Sequence, residues 1–204
     1  MAVGASLLFA GCLPKQPEYI DQLDLVYTNY SPTFHFADQH TYAIPDKVVK
    51  VTGALADEDT SEIEYVSSTY GDRIIQDVKD GMNSNGWTEV NVGDNPDVIL
   101  FPAVNTTTNI NYYYDWGYWG WYYPYYGYGW YYPGYYPPVV TSYKTGTLLV
   151  QMTYRAGVGD NEQVPVEWVM VMDGLLEGSS ADMLQRIDNS VSQGFKQSPY
   201  LTIK

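Results

Sequence analysis

Two histidines five residues apart are the first side chains with metal-binding chemistry. His35 and His40 flank Asp38 in the stretch FHFADQH, and a His/Asp/His set supplies donors that zinc accepts. The spacing works against it: on an extended segment residues i and i+5 point to opposite faces. Both histidines are therefore read as ordinary surface or partly buried side chains, with no metal assigned. A group of carboxylates offers acid–base chemistry instead. Asp72, Asp77 and Asp80 fall in DRIIQDVKD, and helical spacing puts Asp77 and Asp80 on one face. Such a pair can donate and accept protons, but with Lys79 beside it a solvated helix face is the simpler expectation. The acidic run 54–64 lacks the spacing and the glycine of a calcium loop and reads as a solvated connection. There is no Gly-x-Ser-x-Gly elbow, phosphate loop or dinucleotide fingerprint, and Gly178-Ser179-Ser180 fits the start of a helix. These residues name no catalytic group and call for no cofactor.

The chain's unusual chemistry is aromatic. Of its 22 tyrosines and 6 tryptophans, seventeen lie between Tyr112 and Tyr136, accompanied by one charge, Asp115. Tyr and Trp combine a large apolar face with a polar tip and tolerate water at interfaces. Pro124, Pro133, Pro137 and Pro138 interrupt any strand ladder, and five glycines, from Gly117 to Gly134, break any helix. Residues 112–138 are expected to be an exposed, ligand-contacting loop between two neighbouring antiparallel strands. Its binding residues would be Tyr118, Trp119, Trp121, Tyr122, Tyr125, Trp130 and Tyr131. No Lys or Arg lies in the loop, which disfavours stacking on nucleic acid. The formal net charge of −14 over 204 residues points the same way: it repels phosphate backbones and leaves no basic patch for anionic lipid.

The single cysteine has no disulfide partner. Cys12 ends the run MAVGASLLFAGC, whose apolar part is long enough for a signal h-region and far too short to span a bilayer. Leu8-Phe9-Ala10-Gly11-Cys12 resembles a bacterial lipobox, in which the Cys is acylated and becomes the mature N-terminus. No Lys or Arg precedes the run, so the signal, residues 1–11, is read as trimmed at its basic end. Residues 12–22, polar and Pro-containing, suit a tether. Leu13 is not the Asp that retains enterobacterial lipoproteins in the inner membrane, and no acidic run marks surface export. The expected location is the outer membrane, lipid-anchored, on the periplasmic face.

These groups need a scaffold, and hydrophobic periodicity outlines one over residues 23–204. Leu23–Tyr30 alternates loosely as a strand, and Thr41–Ile44 is a second short one. Tyr70, Ile74, Val78 and Met82 recur every four residues in a helix over 67–86, started by Ser67 or Ser68 and ended at Asn85-Gly86. The apolar run 97–104 is a buried strand, continued with alternation to Tyr114. Leu148, Val150, Met152 and Tyr154 face one way in the next strand, and Val166, Trp168, Met170 and Met172 in its hairpin partner. A second helix over 179–197 carries Leu184, Ile187, Val191 and Phe195, with Ser179 and Asp182 resembling a capping box and Pro199 just beyond. The expected class is α+β: an antiparallel sheet with two amphipathic helices packed on one face and the long Tyr/Trp/Gly loop between two strands.

The order of these elements, together with Tyr143 followed by Gly146-Thr147-Leu148, the Trp168 strand and the upstream YGDRIIQDVKDGMNSNGW and DNPDVIL stretches, resembles the DUF4136 bacterial lipoproteins. The resemblance covers roughly residues 23–200. Residues 169–172 depart from the family's Trp-x-Gly strand ending, and some members carry a Tyr/Gly/Trp-rich insertion at the place of this loop. It implies a lipoprotein of the envelope and carries over no active site. The functional expectation is a noncatalytic cell-envelope lipoprotein whose aromatic loop contacts a protein or glycan. The alternative is an enzyme acting on envelope polymer or glycan through a carboxylate site. If Cys12 carries the anchor, a Cys12→Ser variant loses palmitate labelling and leaves the membrane fraction; unchanged membrane association contradicts the lipobox reading.

Overall fold

The computed structural model describes residues 25–51, 64–106, 130–131, 133–134, 146–158, 163–176 and 182–203. The elements in chain order are β1 (Leu25–Tyr30), β2 (Thr41–Ala43), β3 (Val49–Val51), α1 (Ser68–Ser84), β4 (Thr88–Glu89), β5 (Val98–Asn105), β6 (Trp130–Tyr131), β7 (Thr147–Thr153), β8 (Val164–Asp173) and α2 (Met183–Lys196). The sheet order is β1-β8-β7-β5-β2-β4, with β3 also on β5 and β6 on β8. The fold is α+β, as expected. Its middle, β1-β8-β7-β5, is antiparallel, whereas β2 and β3 run parallel to β5 and β4 parallel to β2. The parallel edge arises because α1 is a crossover: the chain leaves β3, runs through the helix and returns in the same direction.

The strongest alternation signals map directly onto the core. Leu148, Val150 and Met152 of β7 and Trp168, Met170 and Met172 of β8 join Ile74, Val78, Met82, Ile187 and Val191 in the main apolar cluster beneath the helices. Alternation fails at the β7–β8 bulge, where the register steps from Met152↔Trp168 to Thr153↔Val166 and Val166 leaves that cluster. A second apolar cluster of Ala43, Val49, Val51, Ile99, Phe101, Ala103 and Val164 lies on the other face.

The helices are shorter than expected. Ser67 is the N-cap of α1 without a side-chain hydrogen bond, and Gly86 follows its end at φ 97°. Residues 177–181, including Ser179, lie outside the described residues, and α2 starts after Asp182. Leu184 is a correction: it is 43% exposed. The buried stripe of α2 is Met183, Ile187, Ser190, Val191, Gly194 and Phe195. Counting from Leu184 rotated the face by one position, because small residues at 190 and 194, silent in an apolar pattern, form part of the contact.

Those small residues set how closely the layers approach. A methyl group on Gly194 would overlap Met170 of β8, and one on Gly81 of α1 would overlap the ring of Phe195 of α2. Trp168 donates its indole N–H to Ser198 Oγ at 3.0 Å, and Trp87 donates to the Leu201 carbonyl at 2.8 Å, pinning the C-terminal turn to the core. At the parallel edge, Asp97 Oδ2 accepts from the N–H groups of His40 and Thr41 (both 2.9 Å) and from Thr41 Oγ1 (2.8 Å). Burial opposes the charge of Asp97, but these three bonds together hold its carboxyl below the usual range.

The packing predicts unequal costs along one helix. Ile187→Ala should lower stability by ~2–5 kcal/mol, and Leu184→Ala by less than about 1 kcal/mol. Gly194→Ala should destabilise by ~1–3 kcal/mol despite its better helix propensity. Urea denaturation of the three variants measures all of these; equal losses for Ile187 and Leu184 contradict the observed phase of α2.

Candidate functional site in the groove between the helices

Helices α1 and α2 meet at Gly81 and Phe195, and between them lies a cavity of about 510 Å³ lined by Asp77, Asp80, Ser84, Asp188, Phe195 and Lys196 among others. Arg73 spans the two helices. Its Nε donates to Asp188 Oδ1 at 2.6 Å and lies 3.2 Å from Asp77 Oδ1, one turn along its own helix. Asp77 has a side chain only 12% exposed, and its Oδ2 is buried without a hydrogen-bond partner among the described residues. Burial, only partly offset by Arg73 and reinforced by the charge of Asp188, pushes the Asp77 carboxyl up to about 6. Asp80 is exposed and accepts from Gln76 Nε2 at 2.8 Å. The arrangement is a carboxyl that titrates near neutrality, facing a second carboxylate on the opposite helix, with one guanidinium between them.

The other polar candidates lie apart from this groove. His35, Asp38 and His40 are all exposed, and among the described residues no group of His, Cys, Asp and Glu could hold a metal ion. Lys79 does not neutralise the Asp77 pair; it binds Glu89 of β4 at 2.7 Å. Cys12, Tyr118, Trp119, Trp121, Tyr122 and Tyr125 lie outside the described residues, as does the exposure of the aromatic loop. Trp130 and Tyr131 are described: they form β6, pairing in parallel with Val164 and Pro165 of β8. The strands flanking the loop, β5 and β7, are antiparallel neighbours, as expected. Among the described residues, no helix is long and apolar enough to cross a membrane.

Asp188 is the groove residue that sequence reasoning missed. Arg73 and Asp77 announce themselves by i,i+4 spacing, but Asp188 is 115 residues from Arg73, and only the packing of α2 on α1 brings it there. Glu167 was likewise unmarked. It sits at the bulge, 5% exposed, with Oε2 lacking a hydrogen-bond partner among the described residues; burial pushes its carboxyl up, against a hydrogen bond from Ser31.

The raised value of Asp77 makes stability depend on pH in a definite direction. The folded state disfavours the ionised form, so this group's contribution is fully present below its ordinary value of 3.8 and is lost as pH rises through about 6. Asp77→Asn should therefore gain about 1 kcal/mol relative to the parent at pH 8, a figure discounted for the solvent-exposed Arg73 beside it, and gain nothing at pH 4. Urea midpoints at the two pH values provide the measurement; an equal shift at both contradicts the assignment.

Residues 26–200 match the family described as Domain of unknown function (DUF4136). The chain is similar, at 30% identity and a TM-score of 0.69, to the crystal structure of a DUF4136 family protein from Bacteroides thetaiotaomicron, over 89% of this chain and 98% of that one. It is also similar, at 9% identity and a TM-score of 0.41, to the PelC dodecamer from Paraburkholderia phytofirmans, over 89% of this chain and 99% of that one. No curated protein matches. Matched across most of its length to the family and to a solved member of it, the chain belongs to the DUF4136 family.

Proposed function

We propose that the protein is a noncatalytic lipoprotein of the cell envelope, anchored to the outer membrane through acyl chains on Cys12 on the periplasmic face, whose aromatic segment contacts another envelope protein or a glycan. The observation that carries this reading is that the described residues of the aromatic segment are held on the domain: Trp130 and Tyr131 pair with Val164 and Pro165, and Gly134 lies against Pro32. Tyr and Trp suit such contacts because they bring area with few rotatable bonds, and apolar sugar faces stack on them. Photo-reactive phenylalanine analogues at Tyr118, Trp121 and Tyr125, irradiated in intact cells, should each trap the same envelope protein or glycan. Absence of any intermolecular adduct overturns this reading.

One observation favours a second reading, an enzyme acting on envelope polymer or glycan. Asp77, held at about 6, shares Arg73 with Asp188 beside an open cavity. A carboxyl titrating there can give up a proton near neutral pH while the partner carboxylate accepts one. If this is the activity, Asp77→Asn and Asp188→Asn each reduce release of soluble fragments from purified cell-wall glycan at least 100-fold while the fold is retained; unchanged release removes it.

A further inference from the structure

Strand pairing brings three separate stretches of chain to one end of the sheet. β5 runs antiparallel to β7, with Ile99 opposite Thr153, so the residues before β5 meet the residues after β7. β2 runs parallel to β5, with Tyr42 opposite Val98, so the residues before β2 arrive at the same end. Between them lies a cavity of about 350 Å³, lined by Gln39, Asn95, Asp97, Tyr154 and Arg155 among others. It shares no lining residue with the groove between the helices. Its volume falls in the range of small-ligand pockets, about 300–1,000 Å³.

The walls are held by bonds that leave their polar ends open. Oδ2 of Asp97 accepts all three bonds from His40 and Thr41, which leaves Oδ1 without a partner among the described residues. The same bonds set Gln39, the residue before His40, on the cavity wall with Asp97. The side-chain amides of Gln39 and Asn95 likewise make no hydrogen bond among the described residues. Asn95 is the one described non-glycine residue at positive φ, 55°. Glycine meets that conformation most easily, so the chain keeps an amide side chain there against the preference of the backbone. On the third stretch, the ring of Tyr154 packs edge-on against Phe34 with centroids 5.1 Å apart. A tight turn follows it, in which the Gly157 N–H donates to the Tyr154 carbonyl at 3.2 Å and the Val158 N–H to the Arg155 carbonyl at 3.1 Å.

We infer that this cavity binds a neutral saccharide unit, with the Tyr154 ring against its apolar face and Gln39, Asn95 and Asp97 Oδ1 on its hydroxyl groups. The chemistry of the lining selects the class. A hydroxyl both donates and accepts, and so does each amide, while Asp97 supplies an acceptor and Arg155 supplies donors. The formal charges of Asp97 and Arg155 cancel, so the wall as a whole selects for neither sign. An anion is further opposed at the open oxygen of Asp97, whose carboxyl is held ionised below the usual range by the donors on Oδ2. A divalent metal ion lacks ligands, because Asp97 is the single carboxylate in the lining. What remains is a ligand with an apolar face and many hydroxyl groups, and an aromatic ring beside planar polar groups matches both. The site is independent of the aromatic-segment contact proposed above.

Saturation-transfer NMR on the purified full-length chain tests this. The neutral probes are maltotriose, cellotriose, mannotriose and triacetylchitotriose, the acidic one is sialyllactose, and each is present at millimolar concentration. At least one neutral trisaccharide should bind. Gln39→Ala combined with Asn95→Gly, which suits the backbone at that position, should weaken the binding about ten-fold or more as hydroxyl groups lose their partners, without lowering the urea midpoint. Ala156→Trp, at an exposed position of the lining, fills the cavity without removing a side-chain hydrogen bond and should abolish binding. Serine at Tyr118, Trp121 and Tyr125 together should leave it unchanged, which keeps failure of this inference apart from failure of the aromatic contact. Three results overturn it: no neutral probe binds, sialyllactose binds in preference, or binding survives Ala156→Trp.

Discussion

The seating of α2 on the sheet is the contact on which the rest of the structure depends, and it exists because Gly194 has no side chain. With Met170 directly beneath, the helix axis comes close enough for Ile187, Val191 and Phe195 to reach the same layer as Trp168. The same geometry recurs between the helices, where Phe195 occupies the space above Gly81. Two glycines that cost helix propensity of ~1 kcal/mol each thereby allow contacts that a wider spacing would forfeit, since dispersion falls off within an ångström. The C-terminal turn follows: Ser198 and Leu201 can meet the indole groups of Trp168 and Trp87 only once α2 is down.

The close approach also creates the groove's electrostatics. Helices held at that distance bring Asp188 to Arg73 and exclude water from Asp77. A carboxyl in this position is stable as the neutral acid at moderately low pH and becomes costly as it ionises, so one packing decision fixes both the shape of the cavity and the proton affinity of its wall. Asp97 shows the opposite outcome for the same residue type. It is placed where two N–H groups and a hydroxyl converge, and its charge is favoured because it ties β2 to β5.

On the far side of the sheet the constraint is burial of mixed chemistry. Every residue of β5 and β7 is buried, which the alternating pattern of a one-sided sheet does not demand. Thr147 illustrates how polar side chains are accommodated: it donates to Asp173 Oδ1 at 2.8 Å and accepts from the Gly174 N–H at 3.1 Å.

The sequence by itself determined the elements whose periodicity is long and clean. The Ile74, Val78, Met82 stripe and the β7–β8 hairpin follow from the spacing of apolar residues, and the resemblance carried by Gly146-Thr147-Leu148 and the Trp168 strand led to the family. Local rules suffice there because each pattern is enforced by neighbours four residues away or fewer. Of the short elements only β2 was legible, closed by Pro45; β3, β4 and β6 hold two or three residues each, too few for a period, and exist because β5, β2 and β8 offer them edges to pair with. Tertiary structure alone decided the phase of α2, since Ser190 and Gly194 become contact residues only against a surface that requires small side chains. It likewise decided that Asp77, legible as a solvated helical acid, is a desolvated one. The physical reason is common to both: burial and proton affinity are properties of what packs against a residue, and Asp77 and Asp188 become neighbours only when two helices far apart in the chain come together.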